Sequence, residues 1–283
     1  MKKLTHKTLL RHLLPLVVFA GFLPTVSTAQ GNLMITPRRV VIEGSQRAQE
    51  LNLANSGKDT ARYLISMIEI RMKEDGTFEQ ITVPDSGQSF ASAHVRFFPR
   101  SVKLGPGEAQ TVKLQINRKS QLEPGEYRSH LYFRAVPEST PLGDTEVQKD
   151  SGNISVKLTP IFGISIPVIL RVGETEVKTQ LTDASFKIMN DTIPVLDLKL
   201  NRYGTASVYG DLKINHISPS GKSTTVGEVK GIAVYTPTQS RKARIALDNK
   251  SVNYKSGKLQ VSYSSNSDQK GQLLAQTELN LLP

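Results

Sequence analysis

The chain has 283 residues, with 36 Lys and Arg against 25 Asp and Glu, for a formal net charge of +11. Hydrophobic residues make up 38% of it, enough for the packed core of one large or two ordinary domains. Cys and Trp are absent, which excludes disulfide frameworks, thiolate metal sites, iron–sulfur clusters and cysteine nucleophiles.

Residues 1–29 read as a cleavable signal peptide. Lys2, Lys3, Lys7 and Arg11 form a positive start, and Leu13 to Leu23 is an apolar stretch too short to span a bilayer. Ser27-Thr28-Ala29 supplies the small residues of a cleavage site, so the mature chain is expected to begin at Gln30. The four positive charges leave with the signal, which takes +11 to +7. No later segment is apolar enough for a transmembrane helix, and export to a bacterial periplasm is expected.

From there on, apolar residues alternate with polar ones, and no sustained helical period appears. Val112, Leu114 and Ile116 alternate with Thr111, Lys113, Gln115 and Asn117; Leu196, Leu198 and Leu200 alternate with Asp197, Lys199 and Asn201. Each such run has one wet and one buried face. The first half predicts strands at 33–43, 47–55, 61–73, 94–104, 108–118, 126–136 and 153–171. The second predicts strands at 175–188, 192–202, 206–217, 223–236, 240–247, 257–264 and 272–281. Turn signals separate them, among them Asp75-Gly76, Gly105-Pro106-Gly107 and Pro124-Gly125. The expected fold is all-β, two immunoglobulin-like β-sandwich domains in tandem, over residues 30–172 and 173–283. With no Pro- or Ser-rich linker between them, the domains should abut.

Catalytic motifs are missing. His94, His130 and His216 are far apart, no two at metal-ligand spacing. There is no nucleophile elbow, phosphate-binding glycine loop or zinc-protease helix. Arg241-Lys242-Ala243-Arg244 lacks interleaved aromatics and reads as a solvated strand face. The expectation is a protein that is not an enzyme, with no cofactor, no metal, no small-molecule substrate and no nucleic-acid partner.

The unusual feature is the seventh predicted strand. A long polar connection, Glu138 to Gly152, leads into Ile154, Val156, Leu158, Pro160, Phe162, Ile164, Ile166, Val168 and Leu170. An ordinary strand has about five or six residues, and this one should outgrow its own sheet. Its second half, with Ile161 and Ile169 on the other face, reads as buried on both sides. Either it is one long strand covered by the nearby loop, or its edge is offered to another protein for strand addition.

Phe98-Pro99-Arg100-Ser101-Val102-Lys103-Leu104-Gly105-Pro106-Gly107-Glu108-Ala109-Gln110-Thr111-Val112-Lys113 resembles a stretch of the PapD-like periplasmic chaperones of the chaperone–usher pilus pathway. The start, Ile35-Thr36-Pro37-Arg38-Arg39-Val40-Val41 followed by Glu43-Gly44 and Leu51-Asn52-Leu53-Ala54-Asn55, is similar too. The resemblance implies a periplasmic assembly chaperone that lends its seventh strand to an incomplete pilus or fimbrial subunit, with an outer-membrane usher as second partner. It implies Ile154, Val156, Leu158 and Phe162 as the inserted residues and Arg39 as the anchor for the subunit's terminal carboxylate. Guanidinium recognises carboxylate by a bidentate fork. The chain departs from the family in three places. The usual lysine of the anchor is replaced by Pro167 or Ser165, while Arg128-Ser129 and Arg134 stand where Glu-Ser and Asn are usual. Set against the chaperone is an exported structural or adhesive protein whose long strand pairs with its own copies or a surface partner.

Overall fold

The computed structural model describes residues 32–117, 122–137, 161–248, 250, 252–266 and 271–281; strands dominate, and there is no helix among the described residues. The first domain contains β1 (Leu33–Thr36), β2 (Val40–Ile42), β3 (Ala48–Asn55), β4 (Ala61–Ile68), β5 (Ile70–Met72), β6 (Phe78–Gln80), β7 (Val95–Phe98), β8 (Ser101–Leu104), β9 (Ala109–Ile116), β10 (Gly125–Val136) and β11 (Gly163–Val172). A four-stranded sheet in the order β1-β3-β9-β7 packs on a five-stranded sheet in the order β2-β11-β10-β4-β8. Leu51, Leu53, Val112 and Leu114 from the first meet Tyr63, Ile65, Leu131, Phe133 and Val168 from the second in one buried core.

The second domain contains β12 (Val177–Met189), β13 (Ile193–Gly204), β14 (Val208–Ile217), β15 (Ser223–Val234), β16 (Ser240–Ala246), β17 (Lys258–Ser264) and β18 (Leu273–Asn280). Its sheets run β12-β13-β16 and β15-β14-β17-β18. Leu196, Leu198 and Leu200 point into a separate core with Leu212, Ile214, Val261 and Tyr263. The alternation in the sequence thus becomes two tandem β-sandwiches.

Three expected strands are broken. The run 33–43 divides at Pro37-Arg38-Arg39: β1 pairs antiparallel with β3 in one sheet, and β2 pairs parallel with β11 in the other. The run 94–104 divides at Pro99-Arg100, sending β7 to β9 and β8 to β4. Proline brings no N–H to a ladder, so each break falls where the chain crosses between sheets to close a corner of the sandwich. The third break, at Glu69, releases β5 to form a hairpin with β6, a strand that was not expected because Phe78-Glu79-Gln80 is exposed and too short to carry a pattern.

That hairpin joins the domains. Met72 is buried in a small third core with Ile169, Ala233 and Tyr235, against which Val41 and Tyr209 pack. Thr238 Oγ1 donates to Met72 O at 2.7 Å, Ser240 Oγ to Glu74 Oε1 at 2.9 Å, and Lys242 N to Glu74 O at 2.6 Å. Gly76 turns the hairpin with φ +82°, and a Cβ there would come within 2.5 Å of Arg241 Nε. Met72→Ala would therefore open a cavity at the junction. It should cost about 2–5 kcal/mol, read as a lower urea midpoint at unchanged slope.

Candidate functional site

β11 is the strand on which the sequence reading concentrated, and its surroundings form the candidate site. On one side it is paired with β10 from Gly125↔Val172 to Arg134↔Gly163. On the other it pairs with β2 only at Val168, Ile169 and Leu170. Among the described residues, no strand pairs with 163–167 on that side, so this stretch is an open edge. Along its core-facing side, Leu170, Val168 and Ile166 are buried, Ile164 is half-buried and Phe162 is 45% exposed. The same face passes from core to surface within about two turns of the pleat. Gly163 lets the Tyr132 ring lie across the strand, because a Cβ there would overlap that ring.

Ile154, Val156 and Leu158, with Pro160 and the connection 138–152, lie outside the described residues. Phe162 is placed at the exposed end of the graded face, and Phe162 O accepts from Ala135 N at 2.9 Å. Ile161 differs from expectation. It is 51% exposed, whereas Ile169 is fully buried. The difference follows from the junction: the second domain covers the outer face of β11 at Ile169 and does not reach Ile161.

Arg39 lies in the break between β1 and β2, between the domains. Its guanidinium carbon stands 4.9 Å from the centre of the Tyr209 ring, an attraction between cation and π face. It makes no hydrogen bond or ion pair among the described residues, and its Nε is buried without a partner. Burial is the main influence on its pKa and pushes it below the ordinary arginine value; the Arg171 charge pushes the same way. The Glu126 charge acts in the opposite sense, without an ion pair to Arg39 among the described residues.

Around it runs a polar network the sequence did not reveal. Glu126, with its side chain wholly buried, accepts from Arg171 Nε at 3.1 Å, Ser207 N at 2.9 Å, Thr236 Oγ1 at 3.1 Å and the Ser207 hydroxyl. Arg171 also reaches Glu43 at 3.2 Å and Ser207 O at 2.9 Å. Arg128, one of the departures from the family pattern, is almost completely buried. It donates to Ile70 O at 3.1 Å and Thr236 O at 3.2 Å and lies over Tyr235. Arg202 donates to the carbonyls of Gly204 and Ala206. Arg241 corrects the sequence reading: it is no solvated residue, since it donates to Ala233 O at 3.0 Å while its Nε is buried without a partner. Lys242 and Arg244 are exposed as expected. Among the described residues, no group of three or more His, Asp or Glu could hold a metal ion.

The only sequence signal for this junction is the start of β10. Glu126, Arg128 and His130 share one face and Ser129 lies on the other, so the strand is polar on both sides where a sandwich strand should alternate.

Together these features define a tandem β-sandwich protein in which, among the described residues, one strand edge is open and an arginine between the domains is unpaired. No family model matches the sequence, and neither does any curated relative. Similar solved structures include the YadV chaperone, at 15% identity and a TM-score of 0.44 over 89% of this chain and all of the other. The CupB2 chaperone of Pseudomonas aeruginosa is similar at 10% identity and a TM-score of 0.39, over 88% of this chain and all of the other. A chain from the Salmonella enterica complex of SafA pilin with SafB chaperone is similar at 11% identity and a TM-score of 0.41, over 90% of this chain and 99% of its own.

His130 supplies a test of the junction. It is buried against the Phe78 and Tyr235 rings, and burial, reinforced by the Arg128 charge, lowers its pKa to about 3. The folded state therefore holds it neutral, while the unfolded chain takes up a proton near its ordinary value. Its contribution to stability is complete above about pH 6.5 and lost as the pH falls towards 3, at about 1.4 kcal/mol per unit. Between pH 7 and 5, His130→Gln should lose about 2 kcal/mol less than the native protein, measured by urea denaturation at both pH values.

Proposed function

We propose that this chain is an exported assembly chaperone that caps pilus or fimbrial subunits by strand addition. The open edge of β11 at residues 163–167 carries the reading. It continues directly from the alternating run Ile154, Val156, Leu158 and Phe162, and an edge of this kind pairs with whatever strand can reach it. A subunit lacking its last strand needs both things such a run offers: backbone bonds for its open edge and alternating side chains for its groove. The resemblance of residues 98–113 to the PapD-like chaperones supports the same reading. So does Arg39, whose guanidinium suits a terminal carboxylate entering between the domains. An outer-membrane usher is the second partner, the periplasm the compartment, and 1–29, 30–172 and 173–283 the signal and the two domains.

Two substitutions separate capture from folding. Val156→Glu with Leu158→Glu places two charges where a dry groove must close, at a cost of several kcal/mol if both are buried. The complex with the subunit should vanish from periplasmic extracts while the free protein melts normally. A complex that survives the double substitution overturns strand donation, and one built only from copies of this chain favours the structural or adhesive protein.

Arg39→Gln removes a half-buried cation that makes no ion pair among the described residues, so the melting temperature should hold or rise while capture weakens. Arg39→Lys should rescue capture poorly, because an ammonium cannot form the fork. Unchanged capture by folded Arg39→Gln overturns the anchor.

A further inference from the structure

Away from the cleft, a groove of about 640 Å³ lies between the turn of the β5–β6 hairpin and the outer face of β13 and β16. Its lining includes Lys73, Glu74, Lys199, Asn201, Tyr203 and Gln239. Lys199 on β13 stands directly opposite Lys242 on β16. Like charges at opposed positions weaken a sheet, so the pair needs an anion.

The carboxylates nearby do not supply enough. Asp197 is taken by Lys187 at 2.6 Å and by Arg244 at 2.6 Å. Glu74 lies 3.6 Å from Lys242 and accepts from Ser240. That hydrogen bond, followed by the charges of Lys199 and Lys242, lowers its pKa. Lys73 pairs with Glu79 at 3.3 Å. Lys199, half-buried, makes no hydrogen bond or ion pair among the described residues. The charge it faces is that of Glu74, which Lys242 already pairs with, so the two lysines share one carboxylate.

The groups around it narrow the ligand. Asn201 Nδ2 donates to Thr182 at 2.8 Å and leaves Oδ1 to accept. The Gln239 side chain is exposed and makes no hydrogen bond among the described residues, so both its donor and acceptor are available. Tyr203 is 53% exposed and offers an aromatic ring. A peptide strand would need an unpaired sheet edge, and at Lys242 the edge of β16 is already closed by Glu74 O. The volume falls within the roughly 300–1,000 Å³ of small-ligand sites, while the lining is more polar than such sites usually are.

We propose that this groove binds a carboxylate-bearing saccharide. Lys199 takes the carboxylate, Asn201 Oδ1 and the Gln239 amide take ring hydroxyls, and the Tyr203 ring lies against the flat face of a pyranose.

The test is calorimetric titration of the full chain with trigalacturonate, with maltotriose and inorganic phosphate in parallel. Trigalacturonate should bind saturably, and Lys199→Gln and Tyr203→Leu should each weaken it about tenfold, with melting temperatures near native and Arg39→Gln without effect. Glu74→Gln should tighten binding, since it removes the carboxylate that competes for the lysines; a merely structural charge pair would give lower stability and no gain in affinity. Absence of saturable trigalacturonate binding up to roughly 10 mM, equal binding of maltotriose or phosphate, or unchanged affinity in folded Lys199→Gln overturns the proposal.

Discussion

A single buried carboxylate organises the space between the two sandwiches. Glu126 sits at the start of β10 with no exposed side-chain surface, and it accepts from Arg171 of its own domain and from Ser207 and Thr236 of the second. Breaking one partner of a buried ion pair typically costs about 3–5 kcal/mol, so Arg171 and Glu126 hold each other in place. Because Arg171 lies on β11 and also bonds Ser207 O, the same contact fixes β11 against the second domain. The open edge is thus the free end of a strand clamped at its other end.

The arginines around this carboxylate divide by what their nitrogens find. Arg202 is anchored by backbone carbonyls, and Arg128 by Ile70 O, Thr236 O and a ring face. Arg39 has the ring of Tyr209 and no hydrogen bond among the described residues. Desolvation weighs on all three, yet only Arg39 leaves its whole fork of donors unused. The cleft is therefore polarised towards the place where β1 ends and β2 begins, beside the parallel pairing of β2 with β11.

Much of this architecture was legible in the alternation of residues, because a half-buried strand must alternate and a sandwich is built from little else. Leu196, Leu198 and Leu200 went inwards as their spacing required. What could not be read were the corners and the junction. Pro37 and Pro99 were visible, but whether a proline ends a strand or sends it to the other sheet depends on partners far away in sequence. Arg241 looked like one more solvated cation in a basic run, and only the turn at Gly76, brought from the other domain, covers it. Glu126 and Arg128 likewise become core residues through a surface that their own sandwich does not supply. Arg39 was legible as a candidate only through family resemblance, since nothing in its neighbours' spacing marks an unpaired guanidinium.

The β5–β6 hairpin has a consequence beyond holding the domains together. β16 is an edge strand, and the bond from Lys242 N to Glu74 O occupies one of the outward amides that a neighbouring molecule would use to extend the sheet. A turn from the first domain thus shields β16 at Lys242 from pairing with another strand. The contact that joins the two domains is also a block on part of one sheet edge.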